Sequence, residues 1–214
     1  IHAASVGESL SMLSLIHRLA ADWPKLNLMM TTGTVTSARI LAARLPDRVI
    51  HQYVPLDRGR WVRNFLDHWQ PNLVLWVESE FWPNLLCEMG ARGIPSVLVN
   101  GRVSPKSYDG WRKWPGLISR LLENFELCLA QTDDDARKLK SLGAKRVMCC
   151  GNLKFSSAPL PFDELELQDL RRRIGGRPVW LAASTHPGEE AMVADAHRRI
   201  RATRRDALAI IVPR

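Results

Sequence analysis

The feature that most constrains the fold of this chain is an alternation of short apolar runs with longer amphipathic segments. Apolar runs predict strands over residues 1–4, 26–31, 49–53, 73–77, 96–100, 127–130, 147–150, 179–183 and 208–212. Helical periodicity predicts helices over residues 8–21, 34–45, 58–68, 83–92, 111–123, 133–142, 163–174 and 188–204. Strands that alternate with helices form βαβ units, so we predict an α/β fold with parallel sheets covered on both faces.

The alternation pauses after residue 150, where Pro159, Pro161, Gly175 and Gly176 interrupt it. We therefore predict a Rossmann-like domain over residues 1–155, a linker with a connecting helix over 156–178, and the start of a second Rossmann-like domain over 179–214. Because the chain opens and closes in strand-like runs, we expect both ends to be cut and the second domain to be truncated. A membrane anchor before residue 1 stays an open question.

Composition limits the class of protein and its partners. The chain is 46% hydrophobic and 24% charged, which is typical of globular domains. A net charge of +8 suggests an anionic partner, which leaves nucleic acid, phosphorylated lipid and membrane open. The cysteines form no CxxC pair, so we predict that they pack in the core; they are Cys87, Cys128, Cys149 and Cys150. No cluster has metal-ligand spacing, so we predict no metal and no cofactor.

Two carboxylates follow the apolar run at 73–77, in the motif Glu78-Ser79-Glu80-Phe81-Trp82-Pro83-Asn84. Pro83 stands where a helix would take its first turn. Open α/β sheets bind ligands at the carboxyl ends of their strands. The motif therefore predicts a site with chemistry, and Glu78 is its first candidate.

Two more polar loops follow the first two strands. In Ser5-Val6-Gly7-Glu8, Gly7 allows close backbone approach and Glu8 is a candidate general base. Thr32 belongs to the hydroxyl-rich loop 31–37, which can hold an anion or a sugar hydroxyl. Ordinary helix capping explains either loop as well.

Further candidates follow later strands of the first domain. Asn100 and Arg102 precede a stretch of cations and tryptophans that ends at Trp114. Such a stretch suits anionic lipid head groups or single-stranded nucleic acid. Lys154 lies in the loop 151–155 at the predicted domain junction, a common place for ligand sites, although alone it reads as a surface lysine.

The second domain offers two anion-oriented loops. Ser184, Thr185 and His186 follow its first strand, and Pro213 and Arg214 follow the next. Hydroxyls at a helix start and a terminal arginine both suit phosphate, so we predict a nucleotide phosphate there. Neither a GxGxxG fingerprint before a helix nor a Walker loop occurs in the sequence.

In this order, the motifs resemble those of the 3-deoxy-D-manno-octulosonic acid (Kdo) transferases of Gram-negative bacteria, glycosyltransferase family 30. The resemblance covers the whole chain, and Glu78–Asn84 is its most diagnostic part. It implies a GT-B type fold, with two Rossmann-like domains facing a cleft. It also implies inverting, metal-independent transfer of Kdo from CMP-Kdo to the lipid A precursor (lipid IV-A), at the cytoplasmic face of the inner membrane and without a nucleic-acid partner.

The resemblance also implies residue roles. Glu8 matches the catalytic base, and Glu78 and Lys154 match residues that stabilise the transition state. Pro213 and Arg214 match part of the CMP-binding loop, whose remainder lies beyond residue 214. Two rivals stay open: another GT-B enzyme with a UDP-sugar donor, and a basic nucleic-acid-binding module, which gives no reason for Glu8 or Glu78.

Overall fold

The structure is a computed structural model that describes residues 1–78, 80–156 and 162–214. Ser79 of the predicted carboxylate motif, and Pro159 and Pro161 of the predicted linker, lie outside the described residues. The chain divides into two compact units, Ile1–Ala158 and Pro159–Arg214.

Helices and strands alternate through the first unit, as the sequence predicts. The helices are α1 (Val6–Asp22), α2 (Val35–Ala42), α3 (Gly59–Trp69), α4 (Pro83–Ala91), α5 (Pro105–Trp111), α6 (Pro115–Leu122) and α7 (Asp133–Ser141). The strands are β1 (Met29–Thr32), β2 (Ile50–Tyr53), β3 (Val74–Val77), β4 (Ser96–Gly101), β5 (Leu127–Ala130) and β6 (Val147–Cys149). A 3-10 helix, Leu153–Ser156, follows β6.

Every strand pairing in this unit is parallel among the described residues, which confirms the predicted α/β class. β1 pairs with β2, and the other four strands lie in the order β3-β4-β5-β6. Residues 1–4 lie between the two groups, because His2 bridges both Thr31 of β1 and Trp76 of β3. The strand order therefore reverses between residues 1–4 and β3, which creates the topological switch point where open α/β sheets bind ligands.

Successive residues of the central strands point to opposite faces of the sheet and enter two separate cores. Trp76 and Leu98 belong to the core on the side of α3, α4, α6 and α7, whereas Val77 and Val99 pack with α1 residues such as Met12. This two-residue alternation is the strand periodicity that a sheet covered on both faces requires. Each such side chain contributes about 1.5–3 kcal/mol by its burial.

The single helix predicted over residues 111–123 is wrong, because the structure has two helices there. α5 ends at Trp111 and α6 begins at Pro115, and Trp114 between them has φ −129° and ψ 58°. A residue before proline is disfavoured in the α conformation, so Pro115 breaks the helix. Trp111 packs against Phe81 with ring centroids 6.0 Å apart, whereas Trp114 is exposed.

The prediction that the cysteines pack in the core holds only in part. Cys128 is buried in β5 and Cys87 is half-buried in α4. Cys149 and Cys150 are exposed. They lie on and directly after β6, which forms one end of the strand order, so an apolar run here does not mean burial.

The second unit contains one βαβ motif preceded by a helix. Its elements are α8 (Glu164–Ile174), β7 (Val179–Thr185), α9 (Glu189–Thr203) and β8 (Leu208–Pro213). β7 and β8 are parallel, as predicted. Asp163 begins α8 by accepting the Leu165 and Glu166 amides. Among the described residues, no helix is long and apolar enough to cross a bilayer.

Candidate active site

Three charged side chains from distant parts of the sequence meet at the switch point of the first unit. Glu8 lies in the first turn of α1, directly after residues 1–4, and Glu78 directly follows β3. Lys154 lies on the 3-10 helix after β6, and its Nζ is 3.3 Å from Glu78 Oε1. A Cβ added to Gly7 would lie 3.9 Å from the same Nζ, so the lysine also adjoins the start of α1.

One carboxylate oxygen of Glu8 caps the start of α1. Its Oε2 accepts the backbone N–H of Ala4 at 2.7 Å and of Ser5 at 3.3 Å, while Ser5 Oγ accepts the Glu8 N–H. This reciprocal capping box confirms the predicted helix start. Both backbone N–H groups bind Oε2, and neither binds Oε1.

Burial changes the acidity of Glu8. The residue is only 8% exposed. Desolvation is the main cause that raises the pKa of its carboxyl group, and the negative charge of Glu78 adds to it, although hydrogen bonds from Ala4 and Ser5 oppose the rise. A carboxylate with a raised pKa is a stronger base than an exposed one.

Glu78 stands in a sharp turn after β3. Its N–H still donates to Val99 O at 3.0 Å, as a further rung of the β3–β4 ladder, but its φ is +59°. A left-handed conformation is uncommon for a residue other than glycine and is found at functional sites. The turn directs the chain towards Glu80, whose carbonyl accepts Trp76 Nε1 at 3.1 Å.

A cavity of about 370 Å³ opens beside these carboxylates. Its lining residues are all polar or charged: Glu8, Glu78, Glu80, Arg102, Ser104 and Ser107. Such a lining suits a polar, hydroxyl-bearing ligand with a negative group near the arginine. Among the described residues, no group of three or more His, Cys, Asp or Glu side chains is arranged to hold a metal ion.

Asp135 holds the loop that carries Arg102, a role that the sequence reading missed. Its Oδ1 accepts the Val103 N–H at 2.8 Å, and its Oδ2 accepts Thr132 Oγ1 at 2.6 Å. Lys138 Nζ reaches Val103 O at 3.3 Å. The sequence showed Asp135 only as a first-turn acid of α7; its position three residues after the Thr132 cap was the available signal.

Asp57 holds the helix that follows the carboxylate motif and was also missed. Its Oδ1 accepts the Leu85 N–H at 2.8 Å and its Oδ2 accepts the Asn84 N–H at 3.1 Å. α4 has no side-chain cap of its own at Trp82. Asp57 therefore caps α4 from the loop after β2. Asn84, the last residue of the motif, supplies one of the two N–H groups that Asp57 binds.

Two predicted binding residues have structural partners. Thr32 is fully buried, and its Oγ1 lies 2.9 Å from His51 Nε2. Asn100 is 2% exposed, and its Oδ1 accepts the Leu153 N–H at 3.1 Å. The structure thus directs these side chains into the protein rather than towards an open surface.

In the second unit, the two predicted loops are neighbours. Thr185 pairs with Pro213, and the Arg214 N–H donates to Thr185 O at 3.1 Å. Ser184 has φ +60°. The N–H groups of His186 and Gly188 donate to the carboxylates of Glu189 and Glu190, so these amides already have anionic partners.

Comparison with solved structures confirms the fold. A UDP-GlcNAc 2-epimerase from Neisseria meningitidis, solved with UDP-GlcNAc bound, matches 98% of this chain and 63% of its own, with a TM-score of 0.66 at 12% identity. Another UDP-N-acetylglucosamine 2-epimerase matches 97% of this chain and 59% of its own, with a TM-score of 0.62 at 14% identity. These likenesses support the predicted GT-B type fold and carry nothing about substrates.

Sequence comparison identifies the family. The family model described as "3-Deoxy-D-manno-octulosonic-acid transferase (kdotransferase)" matches residues 1–157. Proteins named 3-deoxy-D-manno-octulosonic acid transferase match all of this chain: one from Rickettsia felis at 38% identity over 46% of its length, and one from Haemophilus influenzae at 33% over 51%. The chain thus spans about half the length of these relatives. This chain belongs to the 3-deoxy-D-manno-octulosonic acid transferase family.

Proposed function

We propose that the complete protein transfers Kdo from CMP-Kdo to a hydroxyl group of the lipid A precursor, with inversion and without a metal ion. The first unit supplies the acceptor side and the catalytic base, and the second unit begins the CMP-sugar site. Family membership supports the transfer. The observation that carries the mechanism is the buried Glu8 beside the Glu78–Lys154 ion pair at the switch point.

Glu8 is the general base of this reaction. Its Oε1 accepts the proton of the acceptor hydroxyl while the hydroxyl oxygen attacks the anomeric carbon of Kdo. The bond from that carbon to the CMP phosphate oxygen breaks, and CMP leaves with the electron pair. The Ala4 and Ser5 amides hold Oε2 and so fix the carboxylate before the substrate arrives, and the raised pKa strengthens it as a base.

Lys154 and Glu78 stabilise the charges of the reacting groups. The Lys154 ammonium offsets the carboxylate of Kdo or the charge that builds on the leaving group. Glu78 holds that ammonium in an ion pair of 3.3 Å and, through its own charge, contributes to the raised pKa of Glu8.

The CMP phosphate binds to the second unit in this proposal. Arg214 has a planar guanidinium group that suits phosphate, and Pro213 directly precedes it. Ser184, Thr185 and His186 stand beside it, since Thr185 pairs with Pro213.

In this proposal the acceptor and the membrane contact the basic segment after β4, residues 102–114. Lys106, Arg112 and Lys113 are exposed, and Trp114 exposes 66% of its surface. Cations beside an exposed tryptophan suit the anionic head groups of a bilayer. We therefore propose that this segment contacts the membrane, and that the protein works at the cytoplasmic face of the inner membrane.

The test uses the complete protein with CMP-Kdo and tetraacylated lipid A precursor, without divalent metal, and follows the mass of the acceptor. We expect mass gains in steps of one Kdo, and a loss of about 10²–10⁴-fold in rate for Glu8→Gln. Glu126→Gln is the matched control, because Glu126 is exposed at the start of β5 and does not line the cavity. Folded wild-type protein that transfers no Kdo contradicts the proposal, and UDP-sugar donors are then tested. Transfer that survives Glu8→Gln retains the activity and removes Glu8 as the base.

A further inference from the structure

Lys154 lies on the 3-10 helix that follows β6, a strand far from the switch point. β6 is separated from β3 by β4 and β5. Neighbouring strands lie about 4.8 Å apart, so the chain after β6 has to cross about 10 Å of sheet edge to reach the end of β4. Contacts at that edge therefore have to hold the 3-10 helix close to Glu78.

A row of three amide side chains spans this edge. Asn100 is in β4, Gln131 directly follows β5, and Asn152 follows β6. Asn152 Nδ2 donates to Gln131 Oε1 at 3.1 Å, and Gln131 Nε2 donates to Asn100 O at 3.0 Å. Side-chain donors thus link successive strands in addition to backbone hydrogen bonds such as that from the Gln131 N–H to Gly101 O.

The same row fixes the 3-10 helix itself. Asn152 Oδ1 accepts the Lys154 N–H at 2.9 Å, and Asn100 Oδ1 accepts the Leu153 N–H at 3.1 Å. The Leu153 side chain packs against the core that contains Met12. In a 3-10 helix successive side chains point about 120° apart, so anchoring Leu153 inward directs Lys154 away from that core.

We infer that Gln131 and Asn152 are positioning residues for the proposed transfer reaction. They hold the Lys154 ammonium against Glu78. The inference rests on the proposed function of Lys154. The two side chains bond to each other and to the backbone of Asn100 and Lys154, so each acts through the position of the lysine and not on the substrate. Gln131 and Asn152 each use both the donor and the acceptor of the side-chain amide, so replacing either residue breaks two hydrogen bonds at once.

The test compares Asn152→Ala and Gln131→Met with wild type in the complete protein. Gln131→Met keeps the volume of a half-buried side chain while removing its hydrogen bonds. We expect kcat to fall about 10- to 100-fold, because a displacement of about 1 Å in a catalytic group has that effect, with KM unchanged. Asn124→Ala is the matched control, since the Asn124 side chain donates to Arg120 O, away from the site.

A double-variant cycle separates positioning from general destabilisation. In a Lys154→Ala background, Asn152→Ala should cause no further loss of kcat, because the group it positions is already gone. An equal loss in both backgrounds overturns the inference.

A second readout does not depend on transfer. Acetylation of the Lys154 amine, followed by mass spectrometry, should be faster in Asn152→Ala and Gln131→Met and approach the rate of Glu78→Gln, in which the ion pair is removed. Unchanged labelling overturns the positioning role. If wild-type protein transfers no Kdo, the proposed function fails, and the labelling experiment alone decides whether the row positions the lysine.

Discussion

Asp57→Ala removes a helix cap that is remote in sequence. Helix α4 has Pro83, which has no N–H, at its first position, and Trp82 provides no side-chain cap. The N–H groups of Asn84 and Leu85 are therefore the donors of the first turn that have no acceptor within the helix, and Asp57 accepts both. The Asn84 side chain adds a bond to Asp57 O at 2.7 Å.

The expected loss follows from these contacts. Removing a helix N-cap costs about 0.5–2 kcal/mol, and a carboxylate at the positive end of a helix contributes about 0.3–1 kcal/mol more. We expect Asp57→Ala to lower the free energy of unfolding by about 2 kcal/mol, which corresponds to a fall in Tm of about 4–8 °C for a unit of this size. Asp57→Asn keeps one acceptor and loses the charge, so we expect a loss of about 1 kcal/mol.

Thermal unfolding and amide hydrogen exchange measure this effect. Exchange at Asn84 and Leu85 should accelerate by about tenfold for each 1.4 kcal/mol of lost local stability. Asp22→Ala is the control, because the ion pair of Asp22 with Arg18 is exposed and its loss should change stability by less than about 1 kcal/mol. If Asp57→Ala behaves like Asp22→Ala, the remote cap does not stabilise α4 and the reasoning is refuted.

Other replacements separate the remaining parts of the fold. Because the folded-state pKa of Glu8 is raised, the folded chain binds more protons than the unfolded chain between the two pKa values, and the free energy of unfolding falls as pH rises through that interval. We therefore expect Glu8→Gln to have a higher Tm than wild type at neutral pH and a smaller difference in acid. A difference in Tm that does not shrink in acid contradicts this reasoning. Trp76→Ala, at a fully buried site, should cost about 3–5 kcal/mol in denaturant unfolding, whereas Trp114→Ala should cost less than about 0.5 kcal/mol. Asp135→Ala should speed hydrogen exchange at the buried Val103 amide, and unchanged exchange would show that the loop holds itself.

Local pattern was sufficient for the elements and for part of the site. Short apolar runs located all the predicted strands except the one over residues 1–4, where the structure has only the isolated bridges of His2, and period-3.6 spacing located most helices. Parallel strands also send all their carboxyl ends to one edge, so residues directly after strands, such as Glu8 and Glu78, were expected there. The helix predicted over 111–123 failed because proline chemistry at Pro115 outweighed the apolar pattern.

The sequence by itself determined the α/β class, the parallel strands and the position of Glu8 and Glu78 at the carboxyl ends of strands. These features depend on residues close together in the chain. Only the tertiary structure decided that Lys154 returns from β6 to Glu78, that Asp57 and Asp135 hold α4 and Val103, and that Cys149 and Cys150 are exposed. Those facts depend on strand order and on contacts between residues separated by 28, 32 and 76 positions. Hydrophobic periodicity records which side of an element is buried, and it carries no information about which distant backbone group a buried carboxylate or amide will meet.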